Sequence, residues 1–338
     1  MDDIVLVIKS GGYYQEPILT DEITWKTERK GAPGELTFTT IKDDKLSFGE
    51  GSEVKLEVNG RAVFHGFVFT KSRDKNHHIK VVAYDQLRYL KNKDTLVYAD
   101  WTCTKLLSYI VSAYNLNVEK DKNGKVKGIA DTGYKVGTTE NPRVEENSTL
   151  FDMILNNLDE TVYNTGHLYI LYDDCGHIRL KNVKDMKVGY LITDNVGENF
   201  DYQTSIDGKV YNKVKLYVED EETGARDFYT AQDKKNIAQW GILQYHEKVD
   251  SEEEVVETTK AVLELYNHVE RNLTVKGLFG DLDVRAGCLV PIHLHLGDAV
   301  NNVDSYLMVE SATHKWSKGH HSMDLTLSGS SGVGQFVA

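Results

Sequence analysis

His293 and His295 stand two residues apart in this 338-residue chain, a spacing that presents both imidazoles on one face of a strand. That is the geometry of a half-built metal site. The alternate residues Ile292, Leu294 and Leu296 form the face expected to be buried, and no third ligand follows at a supporting distance. Both histidines are therefore expected in solvent or at an interface. The adjacent pairs His77-His78 and His320-His321 cannot point the same way from a strand, and they read as polar hairpin loops. Cys175-Gly176-His177 juxtaposes a thiol and a base, the elements of a nucleophile. It falls at the tip of a predicted hairpin, where Gly176 serves the turn. Asp281 and Asp283 alternate on a predicted strand as a DxD, which a metal-dependent glycosyltransferase places in an α/β nucleotide-binding domain. No such βαβ pattern is present. The 52 acidic residues make chance carboxylate pairs of the glycosidase kind inevitable. GxSxG, HExxH, Walker A and GxGxxG motifs are absent from the sequence. The expectation is a protein with no catalytic, cofactor-binding or metal residue.

Composition narrows the class further. A net charge of −13 argues against a dedicated, sequence-specific nucleic-acid binder. Three scattered cysteines make neither a disulfide framework nor a zinc ribbon. Nothing approaches the ~18 consecutive apolar residues of a membrane span, and the acidic start MDDIVLVIKS is unlike a signal peptide, so the chain is expected to begin in the cytosol. Hydrophobic content of 40% supports several cores, and 19 tyrosines against 4 prolines suit a sheet-rich protein.

The elements that would position any site begin with the stretch Gly49 to Asp85. Val54, Leu56 and Val58 alternate with polar residues, Asn59-Gly60 is a tight-turn dipeptide, and Val63 to Phe69 follows as a second strand. Ile79, Val81 and Ala83 resume the alternation after a polar loop. Gly287 to Ser328 repeats the pattern: Val290 to Leu296, a Gly-Asp turn, a hydrophobic strand, a loop ending at His320-His321, then Met323, Leu325 and Leu327. Upstream, Ile4 to Ile8, Trp25 to Arg29 and Leu36 to Thr39 read as strands, with turns at Gly11-Gly12 and Gly31-Ala32-Pro33-Gly34. A small barrel or sandwich is expected over 1–92.

Residues 93–200 change period. Leu106, Leu107, Ile110, Val111 and Tyr114 predict a helix capped by Asp100 or Thr102. Ser148 is placed to cap a second helix carrying Phe151, Ile154, Leu155 and Leu158. A hairpin follows over His167 to Lys181. A second β domain is expected over 201–328, including strands at Val214 to Val218 and near Phe228. It carries one inserted helix, 251–269, with Ser251 and Glu254 as a capping box. A Gly/Ser-rich tail, 329–338, closes the chain. The fold class expected is mainly β with an α+β insert.

The succession Trp25-Lys-Thr-Glu-Arg-Lys-Gly-Ala-Pro-Gly-Glu-Leu-Thr-Phe-Thr39, Gly66-Phe67-Val68, Val82-Ala83-Tyr84-Asp85-Gln86-Leu87 and Glu146-Asn147-Ser148-Thr149-Leu150 resembles the baseplate hub proteins of contractile phage tails, prophages and R-type bacteriocins. This is the PBSX-like hub family, related to the late-control protein D family and more distantly to type VI secretion spike proteins. The resemblance covers most of the chain. It implies two similar tube-type barrels per chain, and a homotrimer whose six barrels match a sixfold tail tube to a threefold central spike. It implies no active site and no cofactor. The implied partners are the tail tube protein or tube initiator, the central spike and other baseplate proteins. The implied location is a virion or tailocin baseplate assembled in the bacterial cytoplasm, with no membrane. No lysozyme, peptidase or β-helix segment is appended, so spike and wall-degrading enzyme are expected as separate chains, and Ser328 to Ala338 is expected to pack against such a neighbour. The acidic balance could line a lumen or simply face solvent. The alternative is a glycan-binding or glycan-hydrolysing β protein, in which Trp101, Trp240 or Trp316 would stack on sugars rather than anchor a core or interface.

Overall fold

The computed structural model describes residues 2–42, 46–195, 199–220, 223–249, 255–295 and 303–329. The Asn59-Gly60 hairpin forms as its residue types dictate. Both residues take positive φ, 53° and 73°, and Glu53–Val58 returns as Arg61–Arg73. The alternation is strict: Val54 and Leu56 are fully buried and Val58 nearly so, while Glu57 is exposed.

A single 13-stranded sheet runs through both ends of the chain. From one edge its order is Asn199–Ser205, Glu270–Phe279, His320–Gly329, Val303–Ser317, Ile23–Glu28, Glu35–Ile41, His78–Tyr84, Arg61–Arg73, Glu53–Val58, Ile4–Ser10 and Tyr13–Gln15. Leu289–Leu294 and Ile192–Thr193 branch from this path. Strands from the two ends of the chain are thus joined edge to edge. The fusing element is the long strand Val303–Ser317, which changes neighbour along its length. Its first residues pair with Leu289–Leu294, and Ser311 to Trp316 pair antiparallel with Glu28 to Ile23. A register shift between Val309 and Ser311 marks the crossover, where a bulge supplies the bend. Trp316, at the end of this strand, is buried in the core of the first module with Trp25, Leu36, Phe38 and Val81.

The α+β region packs a separate core. Thr102, rather than Asp100, caps the helix Cys103–Ala113 by accepting from the Lys105 amide at 3.2 Å. The helix Leu150–Thr165 starts one residue later than the sequence suggests. The Leu150 amide donates to the Asn92 carbonyl, so Thr149 instead of Ser148 takes the cap and accepts from the Asp152 amide at 3.0 Å. Gly166, in the left-handed region at φ 67°, ends it. The hairpin Tyr169–Asp173 and Ile178–Asn182 forms as expected. The chain rejoins the large sheet before residue 200, since Ile192–Thr193 pairs in parallel with Leu289–Leu294.

The expected second β module differs in one respect. Lys213–Glu219, Arg226–Gln232 and Gln244–Lys248 do not enter the large sheet; they form a three-stranded sheet of their own. The helix Val255–Tyr266 covers it, and Val214, Leu216, Val255 and Val262 make a core of its own. The inserted helix therefore belongs to this small unit and ends at Tyr266, short of residue 269. A short helix, Lys234–Trp240, capped by Asp233, was not evident in the sequence pattern. The capping box Ser251 and Glu254, Leu296, the Gly297-Asp298 turn and the tail beyond Gly329 lie outside the described residues. Among the described residues, no helix is long and apolar enough to cross a membrane.

Candidate functional site

A buried polar cluster stands where three of the recognised motifs meet, and it is built on Asp85. The strand His78–Tyr84 ends there, and the Asp85 carboxylate caps the 3-10 helix Gln86–Lys91 by accepting from the Leu87 amide at 3.0 Å. Its other oxygen accepts from the Gly34 amide at 2.8 Å, while the Asp85 amide donates back to the Gly34 carbonyl at 3.0 Å. Gly34 must lack a side chain, because a Cβ there would run into the Asp85 carboxylate. The turn Gly31 to Gly34 is thereby bolted to the end of a strand 50 residues on. Gly66 is required for a similar reason: a Cβ would strike the Tyr84 carbonyl and the Phe64 ring.

Gln86 extends the joint into the α+β region. Its amide nitrogen donates to Asp173 Oδ2 at 2.8 Å and to the Asn117 carbonyl, and its oxygen accepts from the Asn117 amide at 2.7 Å. Asp173 also accepts from the Gly176 amide at 2.7 Å, fixing the hairpin turn. Gly176 abuts His65, whose ring pairs with Glu53 at 2.7 Å. Burial pushes the Asp85 carboxyl well above the usual carboxylate range, and the charge of Asp173 adds to the effect. Burial also raises Asp173. Glu53 goes the other way: burial opposes ionisation, but hydrogen bonds from Tyr14, His65 and Lys9 outweigh it and hold the group at about 2.

Across the seam lies an aromatic stack. His314 is fully buried, its ring 5.0 Å from Trp25, and it continues through His321 to Trp316. Its Nε2 reaches the Val284 carbonyl at 2.8 Å and its Nδ1 reaches His321 Nε2 at 2.9 Å. Burial lowers its pKa to about 3, with the neighbouring His321 contributing. Neutral His314 thus donates from Nε2 and accepts at Nδ1. His321 is a packed member of this stack, not part of a polar loop, because Gly280 leaves its ring room to lie flat.

The other candidate residues are dispersed. His293 and His295 are exposed neighbours, ring centroids 4.7 Å apart, with His295 paired to Asp194. His78 pairs with Asp74 at the loop where His77 adopts φ 65°. Asp281 and Asp283 lie in a turn rather than on a strand, Asp281 accepting from the Asp283 amide and Asp283 pairing with Arg61 at 2.6 Å. Cys175 sits in the hairpin turn at φ 49°, and burial pushes its thiol up to about 11, far from a thiolate at neutral pH. Trp316 is buried, Trp101 is half-buried against Tyr98 and Tyr109, and Trp240 ends a short helix, half-buried. Among the described residues no cluster of three or more His, Cys, Asp or Glu is placed to hold a metal ion. A polar cleft of about 450 Å³ beside the joint is lined by Arg61, Lys181, Asp283 and Arg285. The carboxylates next to it are committed to backbone amides and to Gln86, so the arrangement clamps chain segments. The sequence marked Asp85 and Gln86 only as part of a motif. An Asp between an alternating strand and a short Leu-spaced helix was the signal for a cap.

This architecture is that of phage tail proteins. The solved tail protein of Neisseria meningitidis MC58 superposes with a TM-score of 0.66 over 99% of both chains, at 12% identity. In sequence the chain is 26% identical over 318 residues to the uncharacterized protein YqbQ of Bacillus subtilis (strain 168), covering 91% of each. It is 25% identical over 317 residues to XkdQ of the phage-like element PBSX of the same strain, covering 91% of this chain and 92% of that one. Residues 23–328 match the YQBQ-like family, and the chain belongs to it. The resemblance carried by the motif succession is thereby borne out.

Proposed function

We propose that this chain is a non-enzymatic structural component of a phage-like contractile tail, serving as its baseplate hub. The observation that carries the reading is the fusion of two β modules into one sheet across Ile23–Glu28 and Val303–Ser317, with the carboxylate joint bracing the α+β region against it. A hub joining a sixfold tube to a threefold spike needs two comparable β units per chain held at a fixed angle, and a shared sheet fixes that angle. On this reading residues 1–92 and the large-sheet strands of 201–328 are the two tube-type units, and three chains form the ring. The tail tube and the central spike bind its opposite ends, in a virion or a DNA-free tailocin assembled in the bacterial cytoplasm. No cofactor takes part. The glycan alternative draws no support from Trp316, which lies in the core.

The test is electron microscopy of the assembled particle with this chain labelled. Three copies in a ring between tube and spike are expected. A chain absent from every particle, or present in six copies, defeats the proposal.

A further inference from the structure

The three-stranded sheet has two unlike faces. One buries Val214 and Leu216 under the helix Val255–Tyr266. The other carries a row of rings across all three strands: Tyr217, Phe228 and His246. Tyr217 and His246 stack with centroids 5.2 Å apart, Tyr217 and Phe228 lie at 5.8 Å, and Phe228 and His246 at 6.4 Å. Phe228 is 49% exposed. A sheet face turned to water is normally polar, so a solvent-facing aromatic row is an unusual feature of this unit.

The cations around the rings give the face its sign. Lys215 Nζ lies 3.9 Å from the centre of the Phe228 ring, and the Arg226 guanidinium lies 5.0 Å from that of Tyr217. The strand registers put Lys213 and Lys248 on the same face as Lys215 and Tyr217. Glu219, paired with Arg226, is the acidic residue these registers place there. Four cations thus oppose one carboxylate, in a chain whose net charge is −13. The face thus carries the opposite sign to the chain's net charge.

We propose that this face is a docking surface for an acidic protein segment, a run of Asp and Glu whose carboxylates meet Lys213, Lys215, Arg226 and Lys248 where these cations stand over and beside the rings. The geometry favours a peptide over nucleic acid. Bases bind such rows by stacking on free ring faces. Here Lys215 covers Phe228, Arg226 covers Tyr217, and His246 stacks on Tyr217, so the surface offers cationic heads over an apolar floor. The inference does not depend on the hub reading, because it concerns the isolated chain.

The test uses the full chain and two fluorescein-labelled probes, octaglutamate and a 20-nucleotide oligothymidylate, followed by anisotropy. Octaglutamate should bind at 50 mM NaCl, weaken at least tenfold at 500 mM, and weaken at least tenfold in Lys213→Glu/Lys215→Glu. The thermal midpoint of that variant should stay within a few degrees of the parent. If it unfolds, Lys248→Glu on the exposed outer strand replaces it, with at least a threefold loss expected. Absence of octaglutamate binding at low salt, indifference to charge reversal, or tighter binding of oligothymidylate through the same residues would each overturn the proposal.

Discussion

His314 and Trp25 stack at 5.0 Å across the seam, one ring from each β module, with their planes 28° apart. Burial keeps His314 neutral in this contact. An unfolded histidine takes a proton near 6.5, whereas His314 resists until about 3. Between these values the unfolded chain holds the extra proton, so stability is full above 6.5 and falls on acidification, by at most about 1.4 kcal/mol per pH unit for one group. His321, lowered by burial, acts in the same sense. Asp2 and Asp281 face His321 and moderate it, and Arg285 faces His314 and reinforces it. Asp85, raised by burial, has the opposite slope, gaining stability as pH falls toward the ordinary carboxylate range. The difference between parent and His314→Phe isolates the first term. Urea midpoints from pH 6 to 4.5 should fall less steeply in the variant, and equal slopes would refute the neutral assignment.

Asp85→Asn tests the joint. An amide supplies one acceptor oxygen where the carboxylate supplies two, so either the Gly34 or the Leu87 amide loses its partner. The expected cost is about 1–3 kcal/mol. Amide exchange at Gly34 and Leu87 should quicken in one of the two positions, while amides in the small sheet near Val214 stay protected.

Gly66→Ala meets the Tyr84 carbonyl, a backbone atom that cannot rotate aside. We expect a loss of roughly 1–3 kcal/mol, measured by chemical denaturation. Gly60→Ala provides the contrast: nothing lies within 4 Å of its added Cβ, and only the positive φ of 73° is strained, costing roughly 1 kcal/mol.

Arg29 and Glu310 form a second bond across the seam at 2.6 Å, reinforced by Arg29 amide donation to the Glu310 carbonyl. Glu310 also receives the Ser328 hydroxyl. Glu310→Ala strands a mostly buried guanidinium and should cost about 2 kcal/mol. Glu310→Ala/Arg29→Met should recover part of that loss. A double mutant additive with its parents would mean the pair does not couple the modules.

Local pattern revealed most strands and the three longer helices, because alternation and the 3.6-residue period are written in neighbouring residues. Val54, Leu56 and Val58, or Leu106, Leu107 and Ile110, declare their faces without help. Pairing over long distances is not written that way. Nothing near Ile23 announces that its neighbour in the sheet is Trp316, and nothing in Val214 to Val218 says that these strands leave the large sheet for a small one. The cap moved from Ser148 to Thr149 because an amide found the carbonyl of Asn92, a partner 58 positions away. The joint is hidden for the same reason: Asp85, Gly34 and Asp173 carry no signal singly, and they become a site only once the chain has folded.

Synthesis meets this topology in order. Ile23–Glu28 leaves the ribosome early, and its seam partner Ser311 to Trp316 follows about 290 residues later, on the order of 15–60 s at bacterial-scale elongation of ~5–20 residues per second. Until it arrives, the side of Ile23–Glu28 that pairs with Ser311 to Trp316 has no partner from its own chain. The strand that completes the sheet is among the last to emerge, so a truncated or stalled product exposes that edge permanently.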